Sequence, residues 1–186
     1  AYNSKTGATA VSNLLVYGTP APIWTTSNLP RSGSTSTISA LFGSAFTDAT
    51  DRITSGSSAN TLAGIAVTAY TSDVTKGVWQ YKTNGTNTWV NIPDISSAST
   101  AFVLGALDKV WFLPFGDYNG PAPTFTATMI DSSATVISGA TIDASVRGGI
   151  TPYSSGLVTV STTVNPTNDA SVLSATLNNP TAVEID

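Results

Sequence analysis

The chain has 186 residues, with seven Lys and Arg against eleven Asp and Glu, which gives a net charge of −4. This acidic balance argues against a nucleic-acid partner, which would require a basic stripe, and against binding to an anionic membrane surface. The sequence contains no Cys and no His. A disulfide framework, a thiolate zinc site, a cysteine nucleophile and the commonest general base are therefore all excluded.

Alternation of apolar and polar residues recurs along the chain, and helical periodicity is not found. Thr and Ser replace most of the usual charged residues, and β-branched Thr favours strands. The pattern predicts an all-β fold, a single elaborated antiparallel β-sandwich of about ten or eleven strands with long loops, in which residues 1–186 form one domain. The predicted strands are 11–17, 37–42, 61–70, 77–82, 87–92, 101–104, 109–113, 124–129, 133–142, 158–164 and 171–177.

No stretch reaches the roughly twenty apolar residues that a membrane span needs, so membrane insertion is not expected. The sequence starts without Met or a signal region. We therefore expect a domain excised from a larger secreted protein. The segment 18–36 is the longest irregular stretch and places Trp24 among polar residues, and loops of that length are often functional.

A hairpin is predicted around Asn84-Gly85, because Asn-Gly supplies the positive φ angles of a tight β-turn. Trp79 and Tyr81 would share one face of this hairpin, with Trp89 opposite or diagonal on the partner strand. We interpret these aromatic residues as core or sheet-face packing. The alternative is a platform on which sugars stack.

Ten of the eleven acidic residues are Asp, and Glu184 is the exception. Asp is short and favours turns, where its carboxylate can share a hard cation with backbone carbonyls, so this bias predicts Ca²⁺ binding. Asp48 and Asp51 follow an apolar segment three residues apart, and Asp117 opens an Asp-x-Asn-Gly sequence typical of calcium loops. Capped turns without an ion are the alternative. The candidate metal ligands are Asp48, Asp51, Asp117, Asn119, Asp131 and Asp169.

Paired carboxylates also occur in glycosidases, where the general acid needs an apolar pocket that raises its pKa. The Asp residues of this chain instead lie among Thr, Ser, Gly and Asn in sequences typical of turns. A Ser-His-Asp triad is impossible without His. We therefore expect that the protein is not an enzyme.

The sequence Arg147-Gly148-Gly149 is a candidate anion-binding turn, with Tyr153 shortly after it. Consecutive backbone N–H groups in a Gly-rich turn can form an anion nest, and an adjacent Arg adds charge-assisted hydrogen bonds. Such a site would suit a carboxylate, including a peptide C-terminus, with flanking aromatic residues such as Tyr118 and Tyr153 adding affinity. The alternative is an ordinary turn with an exposed Arg.

Several short motifs together resemble one protein family, and they are Phe46–Asp51, Ser58–Ala69, Gly77–Tyr81, Asp117–Thr124 and Val164–Asp169. The chain is similar, over about residues 40–170, to the cadherin-like modules of giant bacterial RTX adhesins. Its size and its elaborated N-terminal region most resemble the calcium-dependent peptide-binding domain of the marine ice-binding type.

The resemblance implies a β-sandwich that is displayed outside the bacterial cell, depends on Ca²⁺ and attaches the cell to host or partner surfaces, with a role in biofilms. It implies capture of free C-terminal peptide ends of cell-surface proteins by a monomer flanked by other adhesin domains. It supports metal ligation by Asp48, Asp51, Asp117, Asn119 and Asp169 and supplies no catalytic residue.

Two other functions stay open at this point. One is a carbohydrate-binding module in which Trp24, Trp79, Trp89 or Trp111 stacks on sugars. The other is a purely structural extender module of the adhesin. Minimal sandwich modules have about 100 residues, so the extra length of this chain argues against the extender.

Overall fold

Two β-sheets packed face to face form the core of the fold, as the alternating sequence predicts. The computed structural model describes residues 12–17, 35–47, 60–116 and 118–166, with the backbone alone for 12–17. In chain order the elements are β1 (Ser12–Tyr17), β2 (Ser36–Thr37), α1 (Ile38–Phe42), β3 (Leu62–Tyr70), β4 (Gly77–Lys82), β5 (Val90–Asn91), a 3-10 turn (Ala98–Thr100), β6 (Ala101–Gly105), β7 (Lys109–Pro114), β8 (Gly120–Pro121), β9 (Phe125–Asp131), β10 (Thr141–Ile142) and β11 (Val158–Asn165).

The large sheet has the strand order β1-β11-β9-β3-β6-β10, and β8 pairs with β11 beside this path. The small sheet has the order β2-β7-β4-β5. Neighbouring strands are antiparallel in both sheets, with the exception of β1 and β11, which run parallel from Ser12 opposite Val160 to Tyr17 opposite Asn165.

The main core lies between the two sheets and is rich in aromatic residues. Phe125, Ala127 and Met129 face it from β9, as their alternation with Thr predicts. Trp79 of the small sheet is fully buried and meets Phe112 and Phe125 edge to face, with ring centroids 5.6 and 5.2 Å apart. The role of Trp79 is therefore packing, and the alternative of a sugar platform is wrong for this residue.

The outer face of the large sheet is not open to water as its Thr residues predict. Thr128 is fully buried there, and its hydroxyl donates to the Ser154 carbonyl at 3.0 Å. The reason is that residues 132–157, which we call the covering segment, fold back over this face, apart from β10, which pairs with β6 as a strand of the sheet. Between the covering segment and the sheet, a second apolar cluster forms from Ala66, Ala101, Val103 and Ile130 of the sheet and Ala144 of the segment.

The predicted strand 37–42 is wrong, because residues Ile38–Phe42 form the helix α1. Ile38, Leu41 and Phe42 are all buried, and their spacing of three and four residues places them on one helical face. The Thr37 side chain accepts the Ala40 N–H at 3.1 Å, which is a helix N-cap. Together with the 3-10 turn, this helix corrects the expectation of a fold without helical structure.

Two further strand predictions are shortened by turns. Of 133–142, only the two residues of β10 are strand, because Asp131 begins a turn closed by the Ala134 N–H at 3.3 Å and Gly139 has a φ of +83°. Of 87–92, only β5 pairs with a neighbour. The turn at Asn84-Gly85 forms as predicted, with Gly85 at a φ of +82°. The predicted strand 171–177 and Trp24 lie outside the described residues.

Candidate functional site

The predicted metal ligands are only partly within the described structure. Asp48, Asp51, Asp117 and Asp169 lie outside the described residues, so the calcium loops to which they belong stay predictions. Asp131 and Asn119 are described. Among the described residues, no group of three or more Asp, Glu, His or Cys lies close enough to hold a metal ion.

Asp131 is fully buried at the end of β9, where the covering segment begins. Its Oδ1 accepts the Ser133 N–H at 2.8 Å and also the Ser133 hydroxyl. The Asp131 N–H donates to the Pro152 carbonyl at 3.0 Å, which joins both ends of the covering segment to the sheet. As placed, this carboxylate stabilises a turn, which is the alternative that the sequence left open.

Asn119 is exposed at the opposite end of the large sheet. It precedes Gly120, which pairs with Val164 of β11. This pair lies beyond Phe125, the first residue of β9, whereas Asp131 is the last residue of β9. The six residue steps of β9 alone separate the two by about 20 Å at 3.3 Å per residue. Asn119 and Asp131 therefore cannot share one cation.

Tyr118 is half-buried and packs against the main core. Its hydroxyl donates to the carbonyl of Pro121, three residues further along the chain. This bond closes the loop that leads into β8. Tyr118 is thus a loop-stabilising residue at the end of the sheet where Asn119 lies.

The Arg147 turn, which we define as residues 145–151, lies within the covering segment. Gly148 and Gly149 have φ angles of +73° and +60°, a left-handed backbone that favours glycine. The Gly148 N–H donates to the Tyr153 carbonyl at 2.9 Å, so this amide is used within the protein. Because the Gly148 amide is already bonded, the predicted nest of two glycine amides does not form. An anion at the turn would meet Arg147 and the backbone around Gly149.

Two apolar side chains of the Arg147 turn are exposed to solvent. Val146 is 70% exposed and Ile150 is 92% exposed, on either side of the half-buried Arg147. A Cβ at Gly149 would meet no other atom within 4 Å, so the backbone there is open to an approaching group. The turn therefore presents a cation, two apolar side chains and an accessible stretch of backbone together.

Beside this turn, a partly open cavity of about 90 Å³ lies between the covering segment and the large sheet. Tyr153, whose carbonyl holds Gly148, is half-buried and contributes to its wall. Ile137 is another wall residue and is 65% exposed. The wall residues include Val103, Ile130, Ile137, Ala140, Ile142 and Tyr153.

Asp108 is a buried acid that the sequence analysis does not identify. It is 2% exposed, and its Oδ1 accepts the Asn84 N–H at 2.9 Å. Its Oδ2 accepts the Gly105 N–H at 2.7 Å and the Ser138 hydroxyl. Burial raises the pKa of the nearby Tyr81 hydroxyl, and the Asp108 charge raises that pKa further. Asp108 thus joins turns of both sheets to the covering segment.

Trp89 lies on the outer face of the small sheet and not beside Trp79 as predicted. Its ring centroid is 6.2 Å from that of Trp111, with the planes tilted by 50°. Trp111 precedes Phe112, which faces the main core, so Trp111 points to the outer face by strand alternation.

Polar side chains surround the Trp89–Trp111 pair. The Trp111 indole donates to Gln80 Oε1 at 3.2 Å, and Gln80 Nε2 donates to Asn91 Oδ1 at 2.7 Å. Lys82 Nζ lies 5.6 Å from the centre of the Trp89 ring, within range of a cation–π contact. Trp89 is half-buried, whereas Trp111 is 5% exposed. Trp89 is therefore the described tryptophan that a sugar could reach.

Comparison of this chain with protein-family models, curated proteins and solved structures finds no match. Within the described residues, no helix has the length and apolar character needed to cross a membrane. Proposals on function therefore depend on the residues of the chain itself.

Proposed function

We propose that this chain is a non-catalytic adhesion module, displayed at the bacterial cell surface, which captures free C-terminal ends of peptides in a calcium-dependent manner. The observation that supports this function best is the Arg147 turn, where a basic residue stands in the chain between Val146 and Ile150, whose side chains are exposed. A peptide terminus carries the complementary features, a carboxylate next to side chains and backbone amides.

Arg147 would supply orientation in this complex. A guanidinium can bind a carboxylate with two parallel hydrogen bonds. The exposed apolar side chains would add affinity through the surface that they lose to solvent. The chain contains no His or Cys, which agrees with a binding function without chemistry.

A peptide-binding measurement tests this function. Peptides with free C-termini should bind, and the same peptides with amidated C-termini should bind at least tenfold more weakly, because the charge-assisted bond is lost. Arg147→Gln should weaken binding to the same degree. Lys109→Gln is the matched control, since it removes one exposed positive charge from the small sheet. Equal affinity for free and amidated peptides would contradict terminus capture.

Calcium is the second part of the proposal and depends on the acidic segments around Asp48, Asp51, Asp117 and Asp169. A cation that binds only the folded state stabilises it, by about 2.7 kcal/mol when its concentration is one hundred times the Kd. Chelation should therefore lower the melting temperature by several degrees, and added Ca²⁺ should restore it more effectively than Mg²⁺, which demands stricter geometry. A melting curve that chelator leaves unchanged would remove calcium from the proposal.

A carbohydrate ligand is the second candidate, supported by the half-buried Trp89 and the polar groups of Gln80 and Asn91 near it. Sugars bind aromatic faces flanked by hydrogen-bonding side chains. A glycan panel probed in parallel with the peptides distinguishes the two functions. Glycan binding that is lost in Trp89→Ala and kept in Arg147→Gln would favour the carbohydrate-binding module.

A further inference from the structure

The cavity beside the Arg147 turn has the character of a side-chain pocket. It is formed where the covering segment crosses β9 and β6, and most of its wall consists of aliphatic groups, including Val103, Ile130 and Ile142. Thr135 and Tyr153 are the polar residues of the wall, and a water molecule would need two to four polar partners. The cavity therefore favours an apolar occupant.

Its size limits what the occupant can be. An apolar cavity of about 150 Å³ in another protein holds benzene. The cavity of about 90 Å³ is smaller than that and is suited to a branched aliphatic group of three or four carbons. Aromatic side chains, which are larger than benzene, would not enter without a rearrangement of the wall.

The position of the cavity links it to the Arg147 turn. Tyr153 forms part of its wall, pairs with Ile130 of β9 as an isolated bridge, and accepts the Gly148 N–H at 2.9 Å. The chain therefore places Arg147 next to a residue that is bonded directly to the cavity wall. A carboxylate at the turn and a side chain in the cavity are compatible with one short ligand.

We propose that this cavity binds the last side chain of the captured peptide and selects Val or Leu there. This inference rests on the function proposed above, since it assigns a specificity to the same site. Burial of three or four aliphatic carbons would strengthen binding by tenfold or more relative to a terminal Gly.

The experiment uses acetylated tetrapeptides Gly-Ser-Gly-X, in which X is Val, Leu, Gly or Trp, each as the free acid and as the amide. Calorimetry should show that the Val and Leu acids bind at least tenfold more tightly than the Gly and Trp acids. Ala140→Leu fills the cavity and should abolish this preference. Ala69→Leu adds the same atoms at an exposed position of β3 and should leave the preference unchanged.

A second measurement keeps the inference testable if Ala140→Leu does not fold. In the unmodified protein, the methyl resonances of Val103 and Ile130 should shift on addition of the Val peptide and not of the Gly peptide. Equal affinity for the Val, Gly and Trp acids would overturn the pocket and leave terminus capture standing. Binding of the Val acid and the Val amide alike, with shifted methyl resonances, would support the pocket and contradict terminus capture. Failure of every peptide to bind would overturn both.

Discussion

Thr162 places a hydroxyl in the buried part of β11. The residue is 3% exposed on β11, between Val160 and Val164, which both belong to the main core. Among the residues that the structure describes, its Oγ1 is a buried polar atom with no hydrogen-bond partner. Burial of an unpaired hydroxyl costs about 1–3 kcal/mol. Replacement by Val keeps the branched shape and removes this cost.

Thr162→Val should therefore raise the free energy of unfolding by about 1–2 kcal/mol. For a chain of this size, each kcal/mol raises the melting temperature by roughly 2–4 °C. The matched control is Thr128→Val, at a fully buried Thr on the neighbouring strand β9. There the hydroxyl donates to the Ser154 carbonyl at 3.0 Å, so its loss should lower stability by about 1–2 kcal/mol.

Urea and thermal unfolding of both variants, followed by circular dichroism, measure the two changes against the unmodified protein. An unchanged m-value would show that the substitution does not alter how much surface unfolding exposes, so that the shift in the unfolding midpoint reports a change in stability. The opposite signs of the two effects are the essential result. If Thr162→Val destabilises the protein as much as Thr128→Val does, the hydroxyl of Thr162 has a partner and the reasoning is refuted.

Three further outcomes are expected. Asp108→Ala should lower the free energy of unfolding by about 3 kcal/mol, because two backbone N–H donors lose a buried acceptor. A loss below about 1 kcal/mol, measured by urea unfolding, would contradict the role of Asp108 in joining these turns. Burial raises the pKa of Tyr70 and Tyr81, so the stability that their neutral hydroxyls contribute is present below about pH 10 and is lost at higher pH. An absorbance titration should show two late-ionising tyrosines, of which one is missing in Tyr81→Phe. The hydrogen bonds from Ser145 hold the pKa of Asp143 below 3.8, so their contribution is present above that pH and is lost as the pH falls. In Ser145→Ala, an NMR titration should find the pKa of Asp143 moved upward.

The sequence predicts the sandwich because local alternation and the geometry of a strand have the same period. The pattern of 77–82 matches β4 residue for residue, and the Asn84-Gly85 turn follows from its backbone requirements. The sequence also carries a signal for the helix α1, but that signal is ambiguous. Ile38, Leu41 and Phe42 carry its spacing after a capping Thr, but a window of six residues fits a short strand equally well.

The site residues that the sequence misses depend on contacts between distant parts of the chain. Asp108 is one acid in a tight turn, and nothing near it in the sequence indicates that Asn84 and Ser138 meet its carboxylate. The cavity likewise forms between β-strands and a segment that reaches them only after folding. The alternation of β9 gives no sign that its outer face will be covered, and Thr128 therefore resembles a solvent-facing residue.

The parallel pairing of β1 with β11 has a mechanical consequence. A force that pulls the chain apart through the segments before Ser12 and after Asn165 acts along these two strands in opposite directions. Because the strands are parallel, the six residue pairs from Ser12–Val160 to Tyr17–Asn165 would be loaded in shear at the same time. An antiparallel pair pulled from one end opens one bond after another. The β1–β11 pair would therefore resist such a force until several backbone hydrogen bonds break together, and single-molecule pulling would measure that resistance as a high rupture force.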